Sequence, residues 1–190
     1  MIKLVSLFSL LLTCCVADLE VETSNDSDPL VDSRPWETWT ECGYMPGDHP
    51  CNFTLLDQNN NEIELYDFYG DVIILDLSAM WCGICVNIAG TSEELIEDLG
   101  PESVVWITVL IEDESGLQPD QSDLLRWESQ HGGTGHILAG SRSMIDPSGN
   151  IGYPVSGWPT VIVIDQKMVI HNGVTGWSES LIRSWVTSLL

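Results

Sequence analysis

Two cysteines, Cys82 and Cys85, stand two residues apart directly after Trp81 in the stretch "SAMWCGIC". Because the thiolate form of cysteine is both a nucleophile and a metal ligand, the pair fits a redox dithiol, half of a metal site, or a structural disulfide. A disulfide between residues so close in sequence closes a small loop and restricts the unfolded chain little. The spacing therefore disfavours a purely structural bond.

The position of the pair favours redox chemistry. "DVIILDLSA" is an apolar, β-branched run that predicts a strand covered on both faces, and the pattern turns helical from Gly83 to Leu99. Cys82 would then lie at a helix N-terminus, where unpaired N–H groups and the helix dipole stabilise a thiolate. Cys85, one turn later and deeper, would attack a mixed disulfide on Cys82 and release the partner.

Metal chemistry finds little support in the spacing of the other ligand types. A structural zinc site needs four ligands, commonly a second close cysteine pair or two histidines. Cys42 and Cys51 are too far apart in sequence for such a pair, and no pair of histidines follows Cys82 and Cys85 at the interval of a zinc finger. We expect no metal and no organic cofactor. The histidines are scattered along the chain: His49, His131, His136 and His171.

The charge balance excludes several classes of partner. The 190 residues carry 29 Asp and Glu against 6 Lys and Arg, a formal net charge of −23. Nucleic acids and anionic lipid surfaces are bound through Lys and Arg, so we expect neither nucleic-acid binding nor electrostatic membrane binding. The length suits one domain with a sizeable core, which we expect to be a monomer.

The first 17 residues predict export. Lys3 precedes an apolar run, Leu4 to Leu12, that is too short to span a bilayer and is typical of a signal peptide. Two processing schemes fit: cleavage after Ala17, or acylation of Cys14 as in a lipoprotein. Either scheme places the protein in the periplasm or another extracytoplasmic compartment, with a membrane contact only through a lipid anchor, and export permits stable disulfides.

Residues 18–40 predict a disordered acidic tether, because they are rich in Ser, Asp and Pro and show no sustained period. Trp36 and Trp39 within it either pack back on the domain or are loosely held. Four cysteines remain after the export segment and permit three pairings. The simplest joins Cys42 to Cys51 as a structural disulfide and Cys82 to Cys85.

The body, residues 41–190, predicts a mixed α/β sheet. "CNFTLLD" and "EIELYDF" form an N-terminal hairpin. The cysteine strand, its helix and "SVVWITVLI" make a β-α-β unit with parallel strands. Residues 121–130 predict a helix, "HILAG" an edge strand, "TVIVID" and "MVIHNGV" an antiparallel hairpin, and "SESLIRSWVTSLL" a last helix. The order gives a mixed sheet flanked by helices on both faces.

"VIILDLSAMWCGIC" followed by "GWPTVIVID" resembles the thioredoxin superfamily, in particular its exported TlpA-like and redoxin-type thiol–disulfide oxidoreductases. The opening "PGDHPCNFTLLDQNNNEIELYDFYGD" follows that branch's approach to its W-C-x-x-C motif. The resemblance covers about residues 45–190, and it implies a thioredoxin-like fold.

The resemblance also implies roles. Cys82 corresponds to the attacking thiol and Cys85 to the resolving thiol, while Trp81 flanks the site. Pro159 corresponds to the family's cis-proline, whose preceding backbone pairs with the substrate chain, so that Trp158 would shape the docking groove.

Asp76 lies six residues before Cys82 within the apolar strand, where thioredoxin has a buried aspartate. Burial raises the pKa of a carboxyl group, and such a group exchanges a proton with the resolving thiol near neutral pH. The alternative is a partly solvated strand residue with no role.

Several positions depart from the family pattern and leave the redox direction open. Ile84 stands where thioredoxin has proline, and Asp71 follows Gly70 where lysine is common. Ala79 stands where a peroxiredoxin has Thr or Ser, which disfavours peroxide reduction, and copper-delivery relatives use a longer cysteine spacing.

These observations together predict an exported oxidoreductase that exchanges disulfides with protein thiols. The favoured direction is reduction of the partner's disulfides, which requires a separate electron donor. The competing interpretation is a thioredoxin-fold binding protein that carries a metal or holds a partner without turnover.

Overall fold

The computed structural model describes residues 34–132 and 135–190. Contacts join Pro35–Leu190 into one compact unit, which includes residues 35–40 of the predicted tether. Pro35–Thr38 form a 3-10 turn, and Trp39 stacks on the His49 ring at 3.6 Å between centroids. The predicted signal peptide, Cys14 and residues 18–33 of the predicted tether lie outside the described residues.

A five-stranded mixed sheet forms the centre of the domain, in the order β5-β4-β3-β6-β7. Strands β3, β4 and β5 are parallel, and β6 and β7 are antiparallel to their neighbours. This confirms the predicted mixed sheet. The strands are β3 Val72–Ala79, β4 Val104–Glu112, β5 His136–Ala139, β6 Thr160–Ile164 and β7 Ile170–Thr175.

Strand β3 is buried along its whole length because it lies at the middle of the sheet with a strand on either side. Its apolar residues alternate between the two faces, as side chains of a strand must. Ile73 and Leu75 point into one core cluster, and Val72 and Ile74 point into another. The unbroken apolar run in the sequence is therefore explained by burial on both faces.

Helical segments lie on both faces of the sheet, with α-helices on one face and 3-10 turns on the other. The four α-helices supply the apolar side chains that pack with Ile74 and with Leu110. The opposite face, around Leu75, is covered by 3-10 turns and by loops rather than by α-helices. The α-helices are α1 Gly83–Ala89, α2 Ser92–Leu99, α3 Gln121–His131 and α4 Glu179–Leu189.

The single helix predicted from Gly83 to Leu99 is wrong, because the chain breaks it after Ala89 into α1 and α2. Two hydroxyl groups at the break bond to the carbonyls that a longer helix would have used. Thr91 donates to the carbonyl of Ile88 at 3.1 Å and Ser92 to that of Ala89 at 2.9 Å. Short hydroxyl side chains compete with the helical ladder in this way.

The predicted N-terminal hairpin is present as β1 Thr54–Leu56 paired antiparallel with β2 Glu62–Glu64. Its turn reaches the outer edge of β5. Gln58, which is buried, accepts a hydrogen bond from the Ile137 N–H at 3.0 Å and donates to the Gly135 carbonyl at 3.2 Å. Asp57 forms a bridge with Leu138 beside it.

The remaining predicted elements are present with small shifts of their ends. Helix α3 starts with a capping box in which Asp120 and Asp123 bond each other's backbone N–H, a strong N-terminal arrangement. Ser178 stands at the N-cap position of α4 but makes no side-chain cap bond.

A disulfide joins Cys42 to Cys51 and closes a loop of nine residues' separation. The Tyr153 hydroxyl donates to the Cys51 carbonyl at 3.1 Å, and Tyr153 belongs to the core on the face covered by 3-10 turns. The hydrogen bond from Tyr153 therefore holds the loop closed by the disulfide against that face.

Removing this disulfide should lower the free energy of unfolding. We expect the double substitution Cys42→Ala/Cys51→Ala to cost about 2.5 kcal/mol, since a cross-link of this length restricts the unfolded chain by roughly that amount. Urea unfolding followed by tryptophan fluorescence measures the difference. An unchanged midpoint and slope would show that the loop is held by its packing alone.

Candidate active site

Cys82 and Cys85 are joined by a disulfide in this structure. Cys82 lies at the surface end of β3 with 7% of its area exposed, whereas Cys85 is fully buried. Both belong to the apolar cluster beneath α1, together with Leu110, Leu124 and Trp127. Only the first sulfur is thus placed to meet a partner, and the second lies behind it.

The start of helix α1 holds the Cys82 sulfur. Cys82 is the N-cap residue, and its sulfur accepts a hydrogen bond from the Cys85 N–H at 3.2 Å. Backbone N–H groups at a helix N-terminus and the helix dipole stabilise negative charge there. In the reduced protein the same geometry favours a thiolate on Cys82.

Aromatic side chains surround the dithiol. Trp81 is half exposed and meets Trp158 edge-on at 6.4 Å between ring centroids. Ile84, in the middle of the Cys-x-x-Cys motif, is also half exposed. Exposed large apolar side chains grouped in this way mark a binding surface.

The loop before β6 lies beside this aromatic group, since Trp158 contacts the cluster that contains Cys82 and Cys85. The peptide bond between Trp158 and Pro159 is cis. The loop is fixed at both ends, because Thr160 donates to the Gly157 carbonyl at 2.9 Å and Gly176 N–H donates to the Pro159 carbonyl at 2.7 Å.

One groove runs along this loop, and a second groove adjoins it at Arg142. The first has a volume of about 520 Å³ and is lined by Arg142, Ile145, Pro147 and residues 155–158. The second has a volume of about 390 Å³ and contains Leu117 and Gln118. Neither groove is lined by an acidic residue, although the chain is strongly acidic.

Asp76 is fully buried in β3, and burial raises the pKa of its carboxyl group to about 7. Ser78 donates a hydrogen bond to one oxygen at 2.6 Å, and Thr108 on β4 donates to the other at 3.4 Å. These two donors oppose the effect of burial. The group therefore changes its protonation near neutral pH.

Asp76 lies on the sheet face that α1 covers. It pairs in register with Thr108 on β4, and Leu110, two residues further along the same face, packs in the cluster of Cys85. The carboxyl group and the buried sulfur are thus on the same side of the sheet.

Trp81 is held by a carboxylate that sequence reasoning missed. Its indole N–H donates to Glu112 at 2.8 Å, and Glu112, which ends β4, is almost fully buried. Arg142 forms an ion pair with the same carboxylate. A signal existed for Glu112, since the carboxyl ends of neighbouring parallel strands meet at one edge of a sheet; none marked Arg142.

The structure brings together Cys82, Cys85, Trp81, Trp158 and Pro159, and places Asp76 beneath them. It does not bring in Cys42 and Cys51, which belong to the opposite face of the sheet.

Among residues 34–132 and 135–190, no group of three or more His, Cys, Asp or Glu side chains is arranged to hold a metal. In the same residues no helix is long and apolar enough to cross a membrane.

The sequence matches the AhpC/TSA family over residues 46–172, more than half of the chain. The chain belongs to the AhpC/TSA family. It is a redoxin-type oxidoreductase of the thioredoxin superfamily, as the resemblance implied. No curated protein matches the sequence at a significant level.

Solved structures show the same fold. A protein from Chlorobium tepidum assigned as the thiol:disulfide interchange protein DsbE is 20% identical, with a TM-score of 0.61 over 77% of this chain and 98% of its own. The exposed lipoprotein thioredoxin of Streptococcus pneumoniae is 21% identical, with a TM-score of 0.60 over 73% of this chain and all of its own, 100%. A protein from Bacteroides vulgatus assigned as a thiol–disulfide oxidoreductase is 26% identical, with a TM-score of 0.60 over 77% of this chain and 97% of its own.

The raised pKa of Asp76 predicts a characteristic dependence of stability on pH. The folded protein holds a proton on this group up to about pH 7, whereas the unfolded chain releases it near pH 4. Folding is therefore favoured at low pH, and this contribution to the free energy of unfolding falls as pH rises, by up to about 1.4 kcal/mol per pH unit.

Asp76→Asn should remove this decrease in the free energy of unfolding with rising pH. We expect the variant to gain stability relative to the wild type as pH rises from 4 to 8, measured by urea unfolding of the oxidised proteins. Asp67→Asn, at an exposed position of a 3-10 turn, is the matched control and should leave the slope unchanged. Parallel curves for wild type and Asp76→Asn would contradict the raised pKa.

Proposed function

We propose that this protein exchanges disulfides with protein partners outside the cytoplasm, and that it acts there as a reductant. The observation that carries the proposal is the difference in burial between the two sulfurs at the start of one helix. Cys82 is 7% exposed and packs in the cluster that Trp158 contacts, while Cys85 in the same cluster is fully buried. An attacking thiol needs access to the partner, and a resolving thiol needs protection from it.

The reaction proceeds in two exchanges. The Cys82 thiolate attacks a partner disulfide, forms a mixed disulfide with one partner sulfur, and releases the other as a thiolate. Cys85 then loses its proton and attacks the Cys82 sulfur, which releases the second partner thiolate. Two electrons pass to the partner, and the Cys82–Cys85 disulfide that remains is the form described above; a dithiol electron donor must reduce it again.

Asp76 is proposed as the group that accepts the Cys85 proton, directly or through water. A base works best when its pKa lies near the working pH, and burial brings that of Asp76 to about 7. Ser78 and Thr108 hold both carboxyl oxygens in the sheet, which orients the group toward the face covered by α1.

Partner docking is proposed along the groove beside Trp158 and the second groove that adjoins it at Arg142. The family's substrates pair with backbone before the cis-proline, and here that backbone opens onto the groove of about 520 Å³. The apolar walls and the absence of acidic lining suit an extended segment of a partially unfolded protein. Pro159 is buried and would set the path of this backbone without contacting the partner itself.

An extracytoplasmic location is proposed from the predicted signal peptide and from the solved relatives. One of these is named an exposed lipoprotein, and another, from Mycobacterium tuberculosis, is named a secreted disulfide oxidoreductase. Attachment through Cys14 and release after Ala17 remain the two schemes for the N-terminus.

Reduction of insulin disulfides by the full chain, with dithiothreitol as electron donor, tests the reaction. We expect turnover that Cys82→Ser abolishes, because the attacking sulfur is removed. Cys85→Ser should instead accumulate a mixed disulfide through Cys82 when expressed in the native envelope, detectable on non-reducing gels. Cys42→Ser/Cys51→Ser is the matched control and should retain turnover.

Three results would contradict the proposal. Turnover that survives Cys82→Ser would place the chemistry elsewhere. If Cys85→Ser accumulates no mixed disulfide with a partner, this result would argue against partner exchange. A stoichiometric metal retained after chelation, without insulin turnover, would replace the oxidoreductase with a metal-binding protein.

Trp158 gives a separate test of the docking surface. We expect Trp158→Ala to lower kcat/KM for insulin about tenfold, since aromatic residues at the centre of an interface contribute most of the binding energy. Reaction of the same variant with a small aromatic disulfide should change much less, because a small reagent does not use the grooves. Leu125→Ala, which removes an exposed apolar side chain from α3, should leave both rates unchanged, and equal losses with both reagents would refute docking by Trp158.

A further inference from the structure

Glu112 is a buried carboxylate at the rim of the dithiol, and the exchange steps do not use it. Its side chain is only 2% exposed. Its backbone carbonyl accepts the Met80 N–H at 2.9 Å, which places the residue beside the segment that leads into Cys82. A charge is costly in so buried a place unless a partner balances it.

The two oxygens of Glu112 have different partners. Oε2 accepts the indole N–H of Trp81 at 2.8 Å. Oε1 is buried, and the guanidinium of Arg142 lies against it as an ion pair. Arg142 opens the 3-10 turn Arg142–Met144, and its side chain is 68% exposed.

Among the ion pairs of residues 34–132 and 135–190, this one has the most buried carboxylate. Arg126 and Arg183 pair with Glu114 and Asp98, which are about half exposed, and such pairs contribute little to stability. Arg126 also pairs with Asp123, whose side chain is 13% exposed. Arg142 instead reaches from the surface to a carboxylate that water scarcely touches. The residue bonded to the other oxygen of that carboxylate, Trp81, is the neighbour of Cys82.

A negative charge near a thiol disfavours the thiolate, and a positive charge favours it. Glu112 orients Trp81, but without a cation beside it the negative charge of Glu112 would oppose ionisation of Cys82. We propose that Arg142 is a positioning residue of the redox site: it neutralises Glu112, so that Glu112 holds the Trp81 indole without disfavouring the Cys82 thiolate. The proposal rests on the proposed function in taking Cys82 as the attacking sulfur.

The test measures Cys82 directly. The full chain carrying Cys85→Ser is reduced and alkylated with iodoacetamide over a range of pH, and the rate at Cys82 is followed by mass spectrometry of its peptide. The reagent reacts with the thiolate, so the midpoint of the profile gives the pKa of Cys82. Insulin turnover does not enter this measurement.

The two sides of the ion pair should shift the pKa in opposite directions. Arg142→Gln leaves the charge of Glu112 unbalanced, so we expect the pKa of Cys82 to rise by about one pH unit. At pH values below that pKa, alkylation should slow roughly tenfold. Glu112→Gln leaves Arg142 unbalanced, so the pKa should fall. The double substitution Arg142→Gln/Glu112→Gln should return it near the starting value.

Other ionisable groups also lie on the elements packed around the dithiol, and all are the same in every variant. Their influence therefore cancels in the comparison. They are Asp76 on β3, Asp123, Arg126, Glu128 and His131 on α3, His136 on β5, and Asp113 and Glu114 after β4.

Two controls separate the local effect from net charge and from misfolding. Lys167→Gln removes the same charge at an exposed position of the β6–β7 turn and should leave the pKa of Cys82 unchanged. Arg142→Lys keeps the cation and should stay within about twofold of the wild-type alkylation rate. Circular dichroism checks that each variant is folded.

Folded Arg142→Gln and Glu112→Gln variants with an unchanged pKa of Cys82, or with shifts of the same sign, would overturn the proposal. If Arg142→Gln fails to fold, Glu112→Gln decides: a lowered pKa supports the role of Arg142, and an unchanged one refutes it. If the two variants shift the pKa of Cys82 in opposite directions but the wild type has no insulin turnover, the proposed function is refuted and the electrostatic role of Arg142 is supported.

Discussion

The hydrogen bond from the Cys85 N–H to the Cys82 sulfur depends on a buried strand ending where a helix begins. Strand β3 has a neighbour on each side and core on both faces, so its end is fixed in space. The first turn of α1 then directs the Cys85 N–H at the Cys82 sulfur, while Cys85 itself is buried. In the proposed reaction, the access to Cys82, its ionisation and the order of attack by the two sulfurs all follow from this one junction.

The same junction explains why the polar groups of the site lie where they do. Parallel strands β3 and β4 bring Asp76 beside Thr108 and bring the end of β4, Glu112, beside the residues that precede Cys82. One carboxyl group is buried with hydroxyl donors, and burial raises its pKa toward neutrality. The other is buried with a cation. Asp76 and Glu112 therefore lie in different environments, one with neutral donors and the other with a cation.

Sequence reasoning predicted the features that depend on local pattern. The apolar run of β3, the Cys-x-x-Cys motif at its end and the antiparallel β6–β7 hairpin each have a signature within about a dozen residues, and each has its counterpart in the structure. It missed the break between α1 and α2, because the apolar period continues across Gly90 while the hydroxyls of Thr91 and Ser92 end the first helix. It also missed Arg142, whose partner is thirty residues away in the chain and adjacent only through the fold.

Gln58 and Asp57 at the hairpin turn occupy groups on the outer side of β5 that would otherwise remain free for pairing. An uncovered edge strand invites other chains to extend the sheet, and a protein that handles partly unfolded partners meets many extended chains. The amide side chain of Gln58 closes this edge of the sheet to such pairing, so under the proposed function an extended partner would meet the aromatic surface instead.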